Sequence, residues 1–414
     1  LPWDKLVLLL SEKYDFSKGS KGVNPRVIIG ALIVKHKLTL TDDETIELIS
    51  ENPYIQFFLG FTQFKSEPIF SPSLFVDIRK RLGKEIFTKF NELLIKSTHP
   101  LADKSITHKG DLKIDATVAD QEIRYPNDLS LLNEARLKTE KIIDQLFELA
   151  RDEKSVKPKT YRRKANDIYL KEAKKKQKKD IRKALRFSLN CVKRNLGHIN
   201  KMLDKYENKD FPLEYKYLRQ LWIIQTLWDQ QWEMFITHTN TCKHRIVSLS
   251  QPHVRPIVRG KQGKMVEFGS KLGLSLFEEY FTADTLSWDA YNEQSDLIIQ
   301  AGNYKRLLGY YPELILADKI YWTNKNRKWC KENGIRLTAT PKGRPVEKTA
   351  HQKRKEKKEF ARRNHVEGKI GNAKQAYNLN QIKAKLKNTS ESWIGATLFV
   401  MNIMNFANIL NLTF

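Results

Sequence analysis

Cysteine is scarce in this chain, long apolar runs are missing, and acids are outnumbered by bases. The three cysteines among 414 residues, Cys191, Cys242 and Cys330, are widely spaced and form no CxxC pair. That excludes a disulfide framework and a structural zinc site, and it fits a reducing compartment. His238, Cys242 and His244 lie close in sequence but lack a second ligand pair at zinc spacing. No apolar run reaches the length of about 18 residues that a membrane span needs, and no basic amphipathic anchor stands at a terminus, so a membrane is not the expected partner. The chain opens Leu1-Pro2-Trp3 with neither Met nor a signal-peptide pattern, which reads as a fragment or a trimmed frame rather than an exported protein.

The bases are in large excess. Lys and Arg number 74 against 48 Asp and Glu, a formal charge of +26. Such a balance points to a polyanion, and with no membrane anchor in view that polyanion is nucleic acid. With 40% hydrophobic and 29% charged residues, the chain reads as a globular protein with solvated helical parts, and its length suggests two or three units.

Residues 1–100 read as a compact helical unit. Pro25 to Lys37 places Val27, Ile28, Ala31, Leu32 and Val34 at helical spacing, and Thr41 with Glu44 forms a capping-box pattern that opens a helix over Asp42 to Glu51. Ser71-Pro72-Ser73 starts a helix whose far end is Arg79-Lys80-Arg81, and Lys84 to Lys96 follows as another. A basic tip on short helices suits a helix-turn-helix-like DNA reader that uses Arg79, Lys80 and Arg81; a plain bundle with solvated cations fits the same pattern. A polar linker follows between Thr98 and Gly110, and the segment 101–128 carries it into a strand, Leu112 to Val118. Lys113, Asp115 and Thr117 share one face of that strand. An aspartate there is costly to bury unless something pairs with it, so Asp115 asks for a cation or a metal, unless it is a strand-edge residue facing water.

Residues 129–240 read as a long, basic helical insert. One apolar stripe runs through Leu129, Leu132, Ile142, Ile143 and Leu146, another through Leu218, Leu221, Trp222, Gln225, Trp228, Trp232 and Phe235. The tryptophans read as helix packing in preference to base stacking. Between the stripes, Arg151 to Arg186 holds 16 Lys and Arg against five acids. A charge run is usually a solvated face, yet Lys175, Lys176, Lys178 and Lys179 are dense enough to neutralise several phosphates.

Residues 241–414 change character. Met265 to Phe268 and Leu272 to Phe277, punctuated by Gly269 and Gly273, read as strands of a hairpin. A helix over Tyr291 to Leu308 precedes Pro312 to Ala317, an apolar run closed by Asp318, as in a buried central strand that presents a functional group beyond its carboxyl end. A helix over Thr323 to Asn333 and a strand over Ile335 to Ala339 lead to the basic loop Pro341-Lys342-Gly343-Arg344-Pro345. The next helix carries Phe360, Arg363, Glu367 and Lys374 on one face. Asn402, Asn405 and Asn408 interrupt the apolar tail from Trp393 to Leu410, which reads as a buried packing helix.

Two strand aspartates and one helix glutamate thus stand in an order that fits an α/β sheet with carboxylates at its strand tips. Asp115, Asp318 and Glu367 suit Mg²⁺ or Mn²⁺, which take a few carboxylates plus water and phosphate oxygens. Two such ions about 4 Å apart can activate a nucleophilic oxygen and stabilise the leaving oxygen of an in-line phosphodiester displacement. Asp120 and Glu122 are rival carboxylates just beyond the apolar strand.

At these residues the chain resembles the DDE transposases of bacterial insertion sequences, in particular the insertion-sequence-five-like branch of the four/five superfamily. The terminal signature there is Tyr-x2-Arg-x3-Glu-x6-Lys, and this chain has Phe360, Arg363, Glu367 and Lys374 at those spacings, with phenylalanine in place of the tyrosine. Lys113-Ile114-Asp115-Ala116-Thr117 is similar to the family's first-aspartate strand, and Leu316-Ala317-Asp318-Lys319 with Tyr321 to its second. Leu1-Pro2-Trp3-Asp4, Glu51 to Gln56 and Arg79 to Leu82 are similar to its N-terminal helical domain.

The resemblance implies an α/β protein: an RNase H-like mixed sheet with flanking helices, a long helical insert after the first strand, and an N-terminal all-α domain. It implies a DNA transposase that binds the terminal inverted repeats of its own element and performs metal-dependent strand cleavage and strand transfer. Asp115, Asp318 and Glu367 are then the catalytic metal ligands, and Arg363 and Lys374 contact phosphate, with Lys342 and Arg344 in the basic loop as further DNA contacts. The partners are double-stranded DNA, at the element ends and the target, and a second copy in a paired-end complex, in the bacterial cytoplasm at the nucleoid. Two other readings keep the same residues: a catalytically inactive DNA-binding protein derived from a transposase, and a stand-alone RNase H-like nuclease. Trp322 suits stacking on an extruded base or packing at a helix start.

Overall fold

The structure, a computed structural model, describes residues 1–12, 22–101, 105–149, 156–172, 177–206, 210–258, 266–339 and 349–410. Its N-terminal part is helical: α1 (Trp3–Ser11), α2 (Pro25–Leu38), α3 (Asp42–Glu51), α4 (Pro53–Leu59) and α5 (Ser73–Thr98). The local signals explain the boundaries. Asn24 accepts the Arg26 amide ahead of Pro25, and Thr41 and Glu44 exchange the two bonds of a capping box at 3.2 and 2.7 Å. Gly83, at φ +61°, breaks α5 into the two helices expected there, because a left-handed residue cannot continue a right-handed helix.

The first strand, β1 (Asp111–Asp120), is followed by α6 (Asp128–Leu149), α7 (Arg162–Glu172), α8 (Lys178–Leu203) and α9 (Tyr215–Thr237). Then come β2 (Arg255–Val258), β3 (Val266–Phe277), β4 (Tyr280–Ser287), α10 (Asp296–Leu308), β5 (Leu314–Leu316), α11 (Asn324–Glu332), β6 (Arg336–Thr338), α12 (Ala350–Ala376) and α13 (Lys387–Ile409). The strands form one mixed sheet in the order β2-β3-β1-β5-β6, with β4 also on β3. β3 runs antiparallel to β1 and β4, whereas β5 is parallel to β1 and to β6.

Gly269 and Gly273 do not separate two strands of a hairpin; both lie inside β3, whose hairpin partner is β4. The reason is close approach. A Cβ on Gly269 would stand 1.9 Å from the Ala119 carbonyl oxygen, and one on Gly273 would stand 2.3 Å from Thr285 Oγ1 and 2.4 Å from Asp296 Oδ2.

The chain forms two compact units, Leu1–Glu122 with Ile257–Phe414, and Ile123–Pro256. In the first, α1 to α5 do not enclose a core of their own. Residues such as Phe75, Phe87 and Phe90 belong to the same hydrophobic cluster as Leu112, Leu274 and Ile315 of the sheet and Phe399 of α13. Asn402 shows why a polar residue interrupts the apolar tail: its side chain accepts the Phe281 amide at 2.8 Å and donates to the Phe281 carbonyl and to Asn91, each at 2.9 Å. The second unit has a core built from α6, α8 and α9, including Leu132, Ile143, Leu189, Val192 and Leu227. Trp228 and Trp232 stack at 5.6 Å on the side of that core, but Trp222 is 62% exposed and lies outside the packed stripe.

Candidate active site

The parallel pairing of β1 with β5 sets the first two carboxylates. Its last paired residues are Lys113 and Leu316, and two positions further along each chain stand Asp115 and Asp318. Both aspartates therefore occur at one level of the sheet, where β5 stops and β1 continues. Asp115 Oδ1 accepts the Ala116 amide at 2.8 Å, and Asp318 Oδ1 accepts the Lys319 amide at 2.7 Å, capping a 3₁₀ turn over Lys319–Tyr321. In each residue one carboxylate oxygen is held locally, and the other makes no hydrogen bond among the described residues.

The third carboxylate comes on α12, whose Val366 and Ala373 are buried and which packs across β1 and β5. Polar anchors fix it along its length. Glu359, 4% exposed, accepts from Thr338 at 3.0 Å and pairs with Arg336 at 2.6 Å, tying the helix to β6. Arg362 pairs with Asp111 at the start of β1, and Lys369 pairs with Glu279 at 3.0 Å in the β3–β4 turn. Glu367 itself is exposed and receives Arg363 Nη2 at 2.7 Å. Arg363 is largely buried, and its Nε has no hydrogen-bond partner among the described residues.

The other two carboxyls act on Asp115. Burial pushes the Asp115 carboxyl above the ordinary range; the Ala116 amide and Arg363 pull it down, and the negative charges of Asp318 and Glu367 push it up. Tyr321, fully buried with no hydrogen-bond partner for its hydroxyl among the described residues, is raised well above a normal phenol by burial, then by Glu293 and Asp115. Asp120 points to the other face of β1 from Asp115, and its carbonyl accepts the Ile382 amide at 2.8 Å. Glu122 accepts Gln381 at 3.1 Å. Among the described residues no group of three His, Cys, Asp or Glu is drawn tightly enough to form a ready metal cage. The donors themselves are hard carboxylate oxygens, two of them with an oxygen to spare, which is the chemistry Mg²⁺ and Mn²⁺ take.

The candidate cations divide. Arg79 is not a surface base: it is 7% exposed and grips Asp42 through both guanidinium arms at 2.8 and 2.6 Å. Asp42 also takes Lys35 at 2.9 Å, and both cations lie over the Trp393 ring. Beside them His36 is buried, its pKa lowered to about 3 by burial and then by Lys35 and Arg79. Lys80 and Arg81 are exposed. Lys374 pairs with Glu267 at 3.3 Å and is mostly covered. Lys179 is exposed; Lys175, Lys176, Lys342, Arg344 and the Lys178 side chain lie outside the described residues. Trp322 is half-buried, with the Arg327 guanidinium 5.0 Å over its ring, in a shallow groove with Lys328 and Lys331. Glu359, Arg362 and Glu279 escaped sequence reasoning, because nothing local distinguishes them from the other charges of a basic helix and a turn.

Comparisons with known proteins fit this geometry. Residues 315–404, which hold Asp318 and Glu367, match the family described as the transposase DDE domain, and residues 1–81 match a family described as a transposase domain. Transposase-type sequence thus stands at both ends of the chain, in agreement with the resemblance to insertion-sequence DDE transposases. A protein of Rhizobium meliloti described as uncharacterized protein ORF8 in the nfe locus is 33% identical over 109 residues, 26% of this chain and 51% of that protein. The chain therefore spans about half the length of this curated relative. No solved structure matches the chain.

Proposed function

We propose that this chain is a DNA transposase with an RNase H-like core, which binds the ends of its own element and cuts and rejoins DNA strands. The observation that carries the reading is the convergence on Asp115: a parallel register puts Asp318 beside it, and α12 brings Glu367 into the same field. The antiparallel β3–β4 hairpin beside the parallel β1, β5 and β6 supports the RNase H-like assignment.

Asp115, Asp318 and Glu367 would hold Mg²⁺ or Mn²⁺. A pair of bound divalent ions supplies Lewis-acid activation of the attacking oxygen and neutralises the departing one. The chain's own part is to hold these carboxylates oriented. Arg363 opposes the rise that burial imposes on the Asp115 carboxyl and pairs with Glu367, and its largely buried guanidinium is placed to meet a phosphate oxygen. The local amide bonds of Asp115 and Asp318 fix one oxygen each and present the other.

The test is metal-dependent cleavage and joining of an end-containing duplex. Asp115→Asn, Asp318→Asn and Glu367→Gln should each lower both activities by at least about a hundredfold while DNA binding persists. Activity that survives all three substitutions removes the triad; cleavage without joining favours a nuclease.

A further inference from the structure

In the second unit, α9 has a face that its own core leaves unused. Leu221, Ile224, Leu227 and Met234 are buried, whereas Tyr215, Trp222 and Ile236 are 70%, 62% and 53% exposed. At about 100° per residue these three fall on one stripe with Arg219, Asp229 and Glu233. The stripe is directional. Its cation is in the N-terminal half of the helix and its two acids are in the C-terminal half.

Turned end for end, the stripe complements itself, and we infer that α9 docks antiparallel on α9 of a second copy of this chain. With a two-fold axis near Gln225 and Thr226, Tyr215 meets Ile236 of the second copy, Trp222 covers the stem of Asp229, and Arg219 meets Glu233. Each contact occurs twice, as a self-complementary interface requires. Trp, Tyr and Arg are also the side chains that anchor such interfaces. DNA is the less suitable occupant, because Asp229 and Glu233 share the stripe with the exposed rings and would face phosphate. On a chain of +26, moreover, two copies repel one another over most of their surface. A stripe that carries its own acids is where they can meet.

The inference stands apart from the cleavage reading, since its readout is mass. Sedimentation of the full chain at tens of micromolar, in moderate salt and without DNA, should show a reversible dimer. Arg219→Glu and Glu233→Arg should each weaken it by at least about tenfold, because symmetry repeats the repulsion. The double variant should recover to within about threefold of the natural chain. Both positions are exposed, and thermal melting checks that the variants fold. A monomeric natural chain, single variants without effect, or a double variant as weak as the singles overturns the docking. So does Trp222→Ala if it leaves self-association intact and weakens DNA binding, which would make the stripe a base-stacking surface.

Discussion

Arg79 shows what a residue's neighbours in the chain do not reveal. It sits in Arg79-Lys80-Arg81, and three consecutive bases read alike, yet helical geometry points them about 100° apart and only the first faces the core. There it closes a charged cluster with Asp42 and Lys35 over Trp393, from three other elements. Removing one partner of such a cluster leaves a charge without its compensation. Arg79→Ala should therefore lower the unfolding free energy by about 3 kcal/mol in a denaturant titration, while Lys80→Ala changes it by under about 0.5 kcal/mol. Equal, small effects of the two would return Arg79 to the surface. The capping box at Thr41 and Glu44 lies at the opposite extreme: its partners are three residues apart, so the sequence shows the whole interaction.

Elements were legible where their signals are local. The helix starts at Pro25, Asp42 and Ser73, the strand around Asp115 and the helix of Glu367 all follow from caps and periodicity. β3 was not legible, because its two glycines look like turns and answer instead to neighbours on adjacent strands. The true turn holds Glu278 and Glu279, at φ +44° and +67°, between Phe277 and Tyr280. That two-residue geometry favours Asn-Gly, and an ordinary side chain there costs about 1–2 kcal/mol. Replacing Glu278→Asn and Glu279→Gly together should raise stability by about 1 kcal/mol, since the exposed pairs of Glu279 with Lys369 and His365 offset little. A lower melting temperature would mean that the grip of Glu279 on α12 outweighs the turn strain.

At the scale of the molecule, the excess of base is the dominant property. If the proposed DNA partner is right, its affinity for a random duplex should fall by at least about a thousandfold between about 50 and about 200 mM salt, as expected for six or more neutralised phosphates. A flat salt dependence in a gel-shift or anisotropy titration would contradict an electrostatic DNA surface. The sequence by itself determined the charge, the kinds of element and the three carboxylates in their order, because those depend on composition and on contacts a few residues apart. Tertiary structure alone decided where they stand. The register of β1 with β5 aligned Asp115 and Asp318, and buried anchors such as Glu359 laid α12 across them. It also withdrew Arg79 into the core and merged the N-terminal helices with the sheet, since burial is settled by partners on other elements, far apart in the chain.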